Sequence, residues 1–174
     1  VCKKSILNHS KNVNVLPIKL DDLIDKNLYY RDIDPLASTE FTYSRFLVPH
    51  LNQYKGIAIF CDSDFLWQCD VNDLLEYYNH NLAVMCVQHD YKPKTNTKMD
   101  GVVQTTYPRK NWSSLMMFNC EHKDIKNLSI ENINTKEAKY LHRMEWTDKV
   151  GKIPMTYNWL EGDYPSDINP KVIH

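Results

Sequence analysis

The sequence predicts an α/β domain: a mixed sheet flanked by helices. Two observations carry this. Short apolar runs of strand length stand at 57–61, 82–87 and 114–118, and helical patterns alternate with them. The 174 residues suffice for one domain with a real core, and no linker, composition shift or internal repeat divides them.

In chain order, residues 1–8 read as the tail of a helix already in progress, with Val1, Cys2, Ile6 and Leu7 apolar and no capping residue before them. Residues 13–20 alternate apolar and polar through Val13, Val15, Ile18 and Leu20, with Pro17 interrupting, as an edge strand does. Residues 39–50 start on a capping-type Thr39 and carry Phe41, Phe46 and Leu47 at amphipathic spacing, with Leu51 just beyond. A helix ending near Pro49 is expected. The run 57–61 is a buried strand, and 71–78 a helix capped by Asp70 with Leu74, Leu75 and Tyr78 on one face. After the strand 82–87 comes a polar stretch, 88–112, with Lys92-Pro93-Lys94 and Tyr107-Pro108-Arg109 and no clear period. Such a stretch inside a domain is a functional loop or β-excursion. A strand at 114–118, a helix at 135–142 and a short strand at 155–160 complete the expectation.

Composition excludes several classes of partner. The formal net charge of −1 leaves no basic footprint for nucleic acid and no polybasic membrane surface. Every apolar run is far shorter than the roughly 20 residues of a membrane helix, and Val1-Cys2-Lys3-Lys4 resembles no signal or transit peptide. The five cysteines are scattered, odd in number and without a C-x-x-C pair, which points to free thiols in a reducing, cytoplasmic compartment. The N-x-S sequons at Asn8, Asn111 and Asn127 would matter only in a secreted protein.

The chemistry concentrates at Asp62-Ser63-Asp64, directly after the apolar run that ends at Cys61. Two carboxylates leaving the carboxyl end of a strand stand where open α/β sheets hold ligands. Their hard oxygens suit Mg²⁺ or Mn²⁺, metals that keep positions for water and substrate phosphates. A metal there can clamp a diphosphate and neutralise its departing charge. The bland alternative is a pair of solvated loop acids, or Asp64 as a helix cap. The preceding strand and the following Phe65-Leu66-Trp67 weigh against it, whereas Asp32-Ile33-Asp34 repeats the triplet in a polar stretch and reads as a plain loop.

Three segments together resemble the central block of the family 8 glycosyltransferases, the glycogenin-like enzymes of GT-A fold. They are Phe41-Thr42-Tyr43-Ser44-Arg45-Phe46, the run from Tyr54-Lys55 through Asp62-Ser63-Asp64, and Val71-Asn72-Asp73-Leu74-Leu75. Looser similarity continues through Asn111-Trp112-Ser113-Ser114 to Asn119, like the family's N-S-G-V strand without its glycine, and from Gly151 to Trp159. The resemblance implies a GT-A-like (Rossmann-like) single domain spanning 1–174 that lacks the first strand and the C-terminal end. It implies a retaining, metal-dependent transfer from a nucleotide-sugar, a UDP-sugar, to a carbohydrate or other hydroxyl acceptor. Asp62 and Asp64 would ligate Mn²⁺ or Mg²⁺ with Ser63 between them in the donor site, and Arg45 would contact the donor. Val172-Ile173-His174 resembles the start of the family's late metal-binding segment, which makes His174 the third ligand. Near the reacting sugar the family carries a D-Q pair; here Asp148 matches by position only, with Asp100, Glu145, Glu161 and Asp163 as other carboxylates. Trp146 and Trp159 are candidates for stacking on an acceptor sugar or for core and rim packing.

Two other readings compete. A phosphatase of the haloacid dehalogenase type also ends a strand in D-x-D, and Gly162-Asp163-Tyr164-Pro165-Ser166-Asp167 resembles its late acidic motif. Leu66 and the position of the acidic strand a third of the way along the chain oppose it. The third reading is a catalytically silent sugar- or nucleotide-binding domain, favoured by the altered D-Q and N-S-G positions.

Overall fold

The computed structural model describes residues 1–32, 42–90, 109–164 and 167–174. Ile33 and Asp34 of the second acidic triplet, the 39–41 start of the expected helix, residues 91–108 with Asp100, and Pro165-Ser166 lie outside the described residues.

Five α-helices and six strands are described, joined by 3₁₀ turns: α1 (Cys2–His9), α2 (Leu20–Asp25), α3 (Val48–Leu51), β1 (Ile57–Cys61), β2 (Leu66–Trp67), β3 (Val84–Val87), β4 (Leu115–Asn119), α4 (Ile130–Thr135), α5 (Ala138–His142), β5 (Val150–Ile153) and β6 (Val172–Ile173). The main sheet has the order β1-β4-β3-β5. β4 runs antiparallel to both neighbours and β3 pairs parallel with β5, so the expected mixed sheet is present. Because β4 alone is reversed, the carboxyl ends of β1, β3 and β5 share one end of the sheet with the start of β4. Cys61 pairs with Leu115 there, and Val87 with Ile153.

The core has two halves, one on each face of the sheet. Val84, Cys86, Met116 and Phe118 point into the half that holds Phe46, Leu47, Leu141 and Trp146. Met85, Val87, Leu115 and Met117 point into the half that holds Phe65, Trp67, Leu74 and Tyr157. This two-sided burial is why β3 and β4 read as continuous apolar runs rather than alternating ones. β1 is different. It pairs only with β4 among the described residues and is half-buried, with Ile57 exposed, which corrects the expectation of a buried strand.

Four further expectations are corrected. Residues 13–19 form no strand: Val13 and Val15 pack on one half of the core while Ile18 and Leu20 pack on the other. Each pair lies two residues apart on one face, but the segment joins no strand ladder, and α2 begins at Leu20. The helix expected to end near Pro49 is a 3₁₀ turn, Ser44–Leu47, leading into α3, whose first turn accommodates Pro49 because no intrahelical donor is needed there. The helix expected at 135–142 is shortened to α5, because α4 ends at Thr135 and the backbone is extended at Lys136 and Glu137. The strand at 155–160 is a 3₁₀ turn, Met155–Tyr157, followed by a single bridge from Trp159 to Ile173.

The segment after Asp70 is also 3₁₀, Val71–Tyr77, and Asp70 caps it by accepting from the Asn72 N–H. β5 escaped the sequence reading because Gly151 and Lys152 interrupt its apolar character. Gly151 is required where it stands, since a Cβ there would lie 2.6 Å from Leu82 Cδ1 and 2.7 Å from Met85 Cγ. Among the described residues no helix is long and apolar enough to cross a membrane.

Candidate metal centre

Asp62 extends the β1–β4 ladder by one rung, its N–H donating to Ser114 O at 3.0 Å. The chain then turns, and Phe65, fully buried, anchors the turn to the core. The carboxylates of Asp62 and Asp64 leave from this turn, with Ser63 exposed between them.

The third member arrives from the far end of the chain. β2 pairs antiparallel with β6 in the register Leu66↔Ile173 and Trp67↔Val172, which sets His174 opposite Phe65. The two rings stack at 4.4 Å. One ligand atom from each of Asp62, Asp64 and His174 lies within 4.8 Å of the others. His174 Nε2 is 3.9 Å from Asp64 Oδ1. The imidazole is held below its usual range, chiefly by burial and also by the Arg45 charge, against the opposing pull of Asp64. It is therefore a neutral ring with a lone pair to offer.

Arg45, on the 3₁₀ turn before α3, grips Asp62. Nη2 is 3.1 Å from Oδ1, Nη1 is 3.4 Å from Oδ2, and Nη1 also donates to Ser113 O at 3.0 Å. Even so, the Asp62 carboxyl is pushed up to about 6. Burial is the largest cause, the Asp64 charge adds to it, and Arg45 pulls the other way. Two carboxylates against one guanidinium leave a half-buried site short of positive charge. Arg45 Nε is buried without a hydrogen-bond partner among the described residues. As a donor set, two hard oxygens and one neutral imidazole nitrogen fit Mn²⁺ or Mg²⁺ and leave positions for water and phosphate oxygens.

Two groups that sequence reasoning passed over also sit at this end of the sheet. His89 follows β3 by two residues, is buried, lies 2.6 Å through Nδ1 from the Tyr164 hydroxyl, and accepts at its carbonyl from Trp112 Nε1. Burial takes it down to about 4. Its signal was the one that exposed Asp62, a polar residue just past an apolar run. Asn158 is fully buried and bonds both His174 and Ser114. Nothing in the sequence marked it, because both contacts are long-range.

The other candidates are not among the three converging ligands. Asp148 is exposed just before β5, at the opposite end of the sheet, and lines a cleft of about 680 Å³ with Asp124, Arg143 and Glu145; Asp62, Asp64 and His174 do not line it. Trp146 is core, stacked on Phe118. Trp159 is half-buried beside β6, and Glu161 is exposed with its N–H donating to His174 O. Asp163 is half-buried, its N–H donating to Leu160 O.

No protein-family model matches the chain. Among solved structures the chain is similar to the glycosyltransferase GlyE of Streptococcus pneumoniae, with a TM-score of 0.50 and 15% identity over 83% of this chain and 40% of that one. It is also similar to the WbbM bifunctional glycosyltransferase, with a TM-score of 0.48 and 16% identity over 80% of this chain and 32% of that one. The chain thus spans less than half the length of either structure. The likeness to GlyE shows the fold, a glycosyltransferase fold of mixed α/β type. In sequence the chain is 47% identical to protein CDI of Arabidopsis thaliana, over 182 aligned residues that cover all of this chain and 70% of that protein. The chain belongs to the family of the Arabidopsis protein CDI.

Proposed function

We propose that this chain is the core of a family 8-type glycosyltransferase that moves a sugar from a nucleotide-sugar, a UDP-sugar, to a hydroxyl acceptor with retention at the anomeric carbon. The observation that carries the reading is the meeting of Asp62, Asp64 and His174 at the carboxyl end of the sheet in a glycosyltransferase fold. These three residues would hold Mn²⁺ or Mg²⁺, which when bound supplies positive charge to the departing diphosphate. Arg45 favours the ionised form of Asp62 and orients it. His89, bonded to Tyr164 and Trp112, lies at the same end of the sheet as the three candidate ligands. Five free thiols support a cytoplasmic location.

Calorimetry with UDP and Mn²⁺ tests the reading. Wild-type protein should bind UDP only with the metal present, and Asp64→Ala should abolish that binding. Unchanged UDP binding in the variant would sink the proposal. Hydrolysis of a generic phosphate ester without UDP affinity would favour the phosphatase. A silent binding domain is the second reading, because Asp148 lies at the other end of the sheet. Metal-dependent UDP binding without turnover of any UDP-sugar would select it.

A further inference from the structure

Behind the three converging residues runs a chain of hydrogen bonds whose polarity is fixed at its far end. The Ser114 hydroxyl lies 2.7 Å from Asn111 O, a carbonyl that can only accept, so its one proton goes there. Ser114 Oγ is then an acceptor for Asn158 Nδ2, at 2.8 Å. That contact orients the buried amide, turning Asn158 Oδ1 toward His174 Nδ1 at 2.9 Å. A carbonyl oxygen has no proton to give, so the hydrogen of a neutral His174 must reside on Nδ1. Nε2 keeps its lone pair on the side of Asp64. The Phe65 ring stacked on the imidazole holds its plane.

The opposite amide orientation would reverse everything downstream. Asn158 Nδ2 would donate to Nδ1, and an N–H on Nε2 would face the carboxylates and could not ligate a cation.

We propose that Ser114 and Asn158 are positioning residues that lock His174 in the Nδ1–H tautomer and so present Nε2 as a ligand. The ligand half of this statement rests on the metal reading above; the tautomer half does not. Ser114 occupies the place where the resembled strand pattern has glycine, a residue with no hydroxyl to begin the chain.

The test uses the full-length protein, metal-free, labelled with ¹⁵N-histidine and observed through two-bond ¹H–¹⁵N couplings at about pH 8, above the ordinary histidine range. The His174 signal is assigned by its loss in His174→Gln. Wild-type protein should give the Nδ1–H pattern. Asn158→Leu should lose it in favour of Nε2–H, the form a free neutral histidine prefers, and should bind Mn²⁺ about 10–100-fold more weakly by calorimetry. Asn158→Asp, which still accepts from Nδ1–H, should restore both. Should Asn158→Leu fail to fold, Ser114→Ala decides, since it frees the amide to turn over without opening a large cavity. An Nε2–H pattern in the wild type, or an Nδ1–H pattern that survives both Asn158→Leu and Ser114→Ala, would overturn the lock. An Nδ1–H pattern in a protein that binds no Mn²⁺ would keep the lock and overturn the metal reading.

Discussion

Arg45 shows how much a single side chain's role depends on its neighbours. From the sequence it was a basic residue upstream of a D-x-D strand, expected to reach the donor itself. In the fold its two terminal nitrogens reach Asp62 and the Ser113 carbonyl, so its position is tied to that of the carboxylate. Arg45→Met should cost about 1–3 kcal/mol in urea unfolding, because it leaves Asp62 beside Asp64 without its partner. Arg45→Lys should recover only part of that loss, since an ammonium cannot span both acceptors as the planar fork does. Equal stability in all three proteins would show that the pair is mere surface decoration.

Among the elements, β5 is the one most exposed to a small change. It closes the sheet beside β3, and the side chains of Leu82 and Met85 occupy the space where a Cβ on residue 151 would stand. Gly151→Ala should therefore destabilise by about 1–3 kcal/mol, read as a lower thermal midpoint. UDP and Mn²⁺ affinity should persist below the transition, since the metal candidates come from the β1 turn and from β6. The short β2–β6 ribbon matters in the other sense, because its register alone sets His174 opposite Phe65. Elements such as β1, β3 and β4 were legible because their apolar runs are continuous or nearly so. β5 was not, and residues 13–20 differ from the strand expected, since apolar residues two apart can pack on the core from a segment that joins no ladder.

For the molecule as a whole, folding buries histidines as neutral rings. His142, packed against Tyr43 and Phe46 and bonded to the Ser113 hydroxyl, is taken down from 6.5 to about 3, by burial first and then by the charges of Arg45 and Arg31. His89 is taken down from 6.5 to about 4. Between those values and 6.5 the unfolded chain binds more protons than the folded one, so stability is lost as the pH falls through that window. Asp62 works in the opposite sense, since its folded value of about 6 lies above 3.8 and protonation there favours the folded state. Urea midpoints measured from neutral pH downward should decline, and His142→Gln, which can still bond Ser113, should flatten the decline. A slope unaltered by that substitution would show that His142 titrates normally.

Sequence by itself determined the α/β class, the strand that delivers Asp62 and Asp64, the Asp70 cap and the nomination of Arg45 and His174. The first three rest on local properties, an apolar run, a spacing of carboxylates and a capping side chain, whereas Arg45 and His174 were nominated by the resemblance to the family 8 glycosyltransferases. Tertiary structure alone decided which of them meet. It brought His174 to Asp64 through the β2–β6 register, turned Arg45 onto Asp62, left Asp148 at the far end of the sheet, and set Asn158 behind the imidazole. Contacts between residues so far apart in the chain depend on sheet order and on which face each side chain leaves, and no local pattern encodes either.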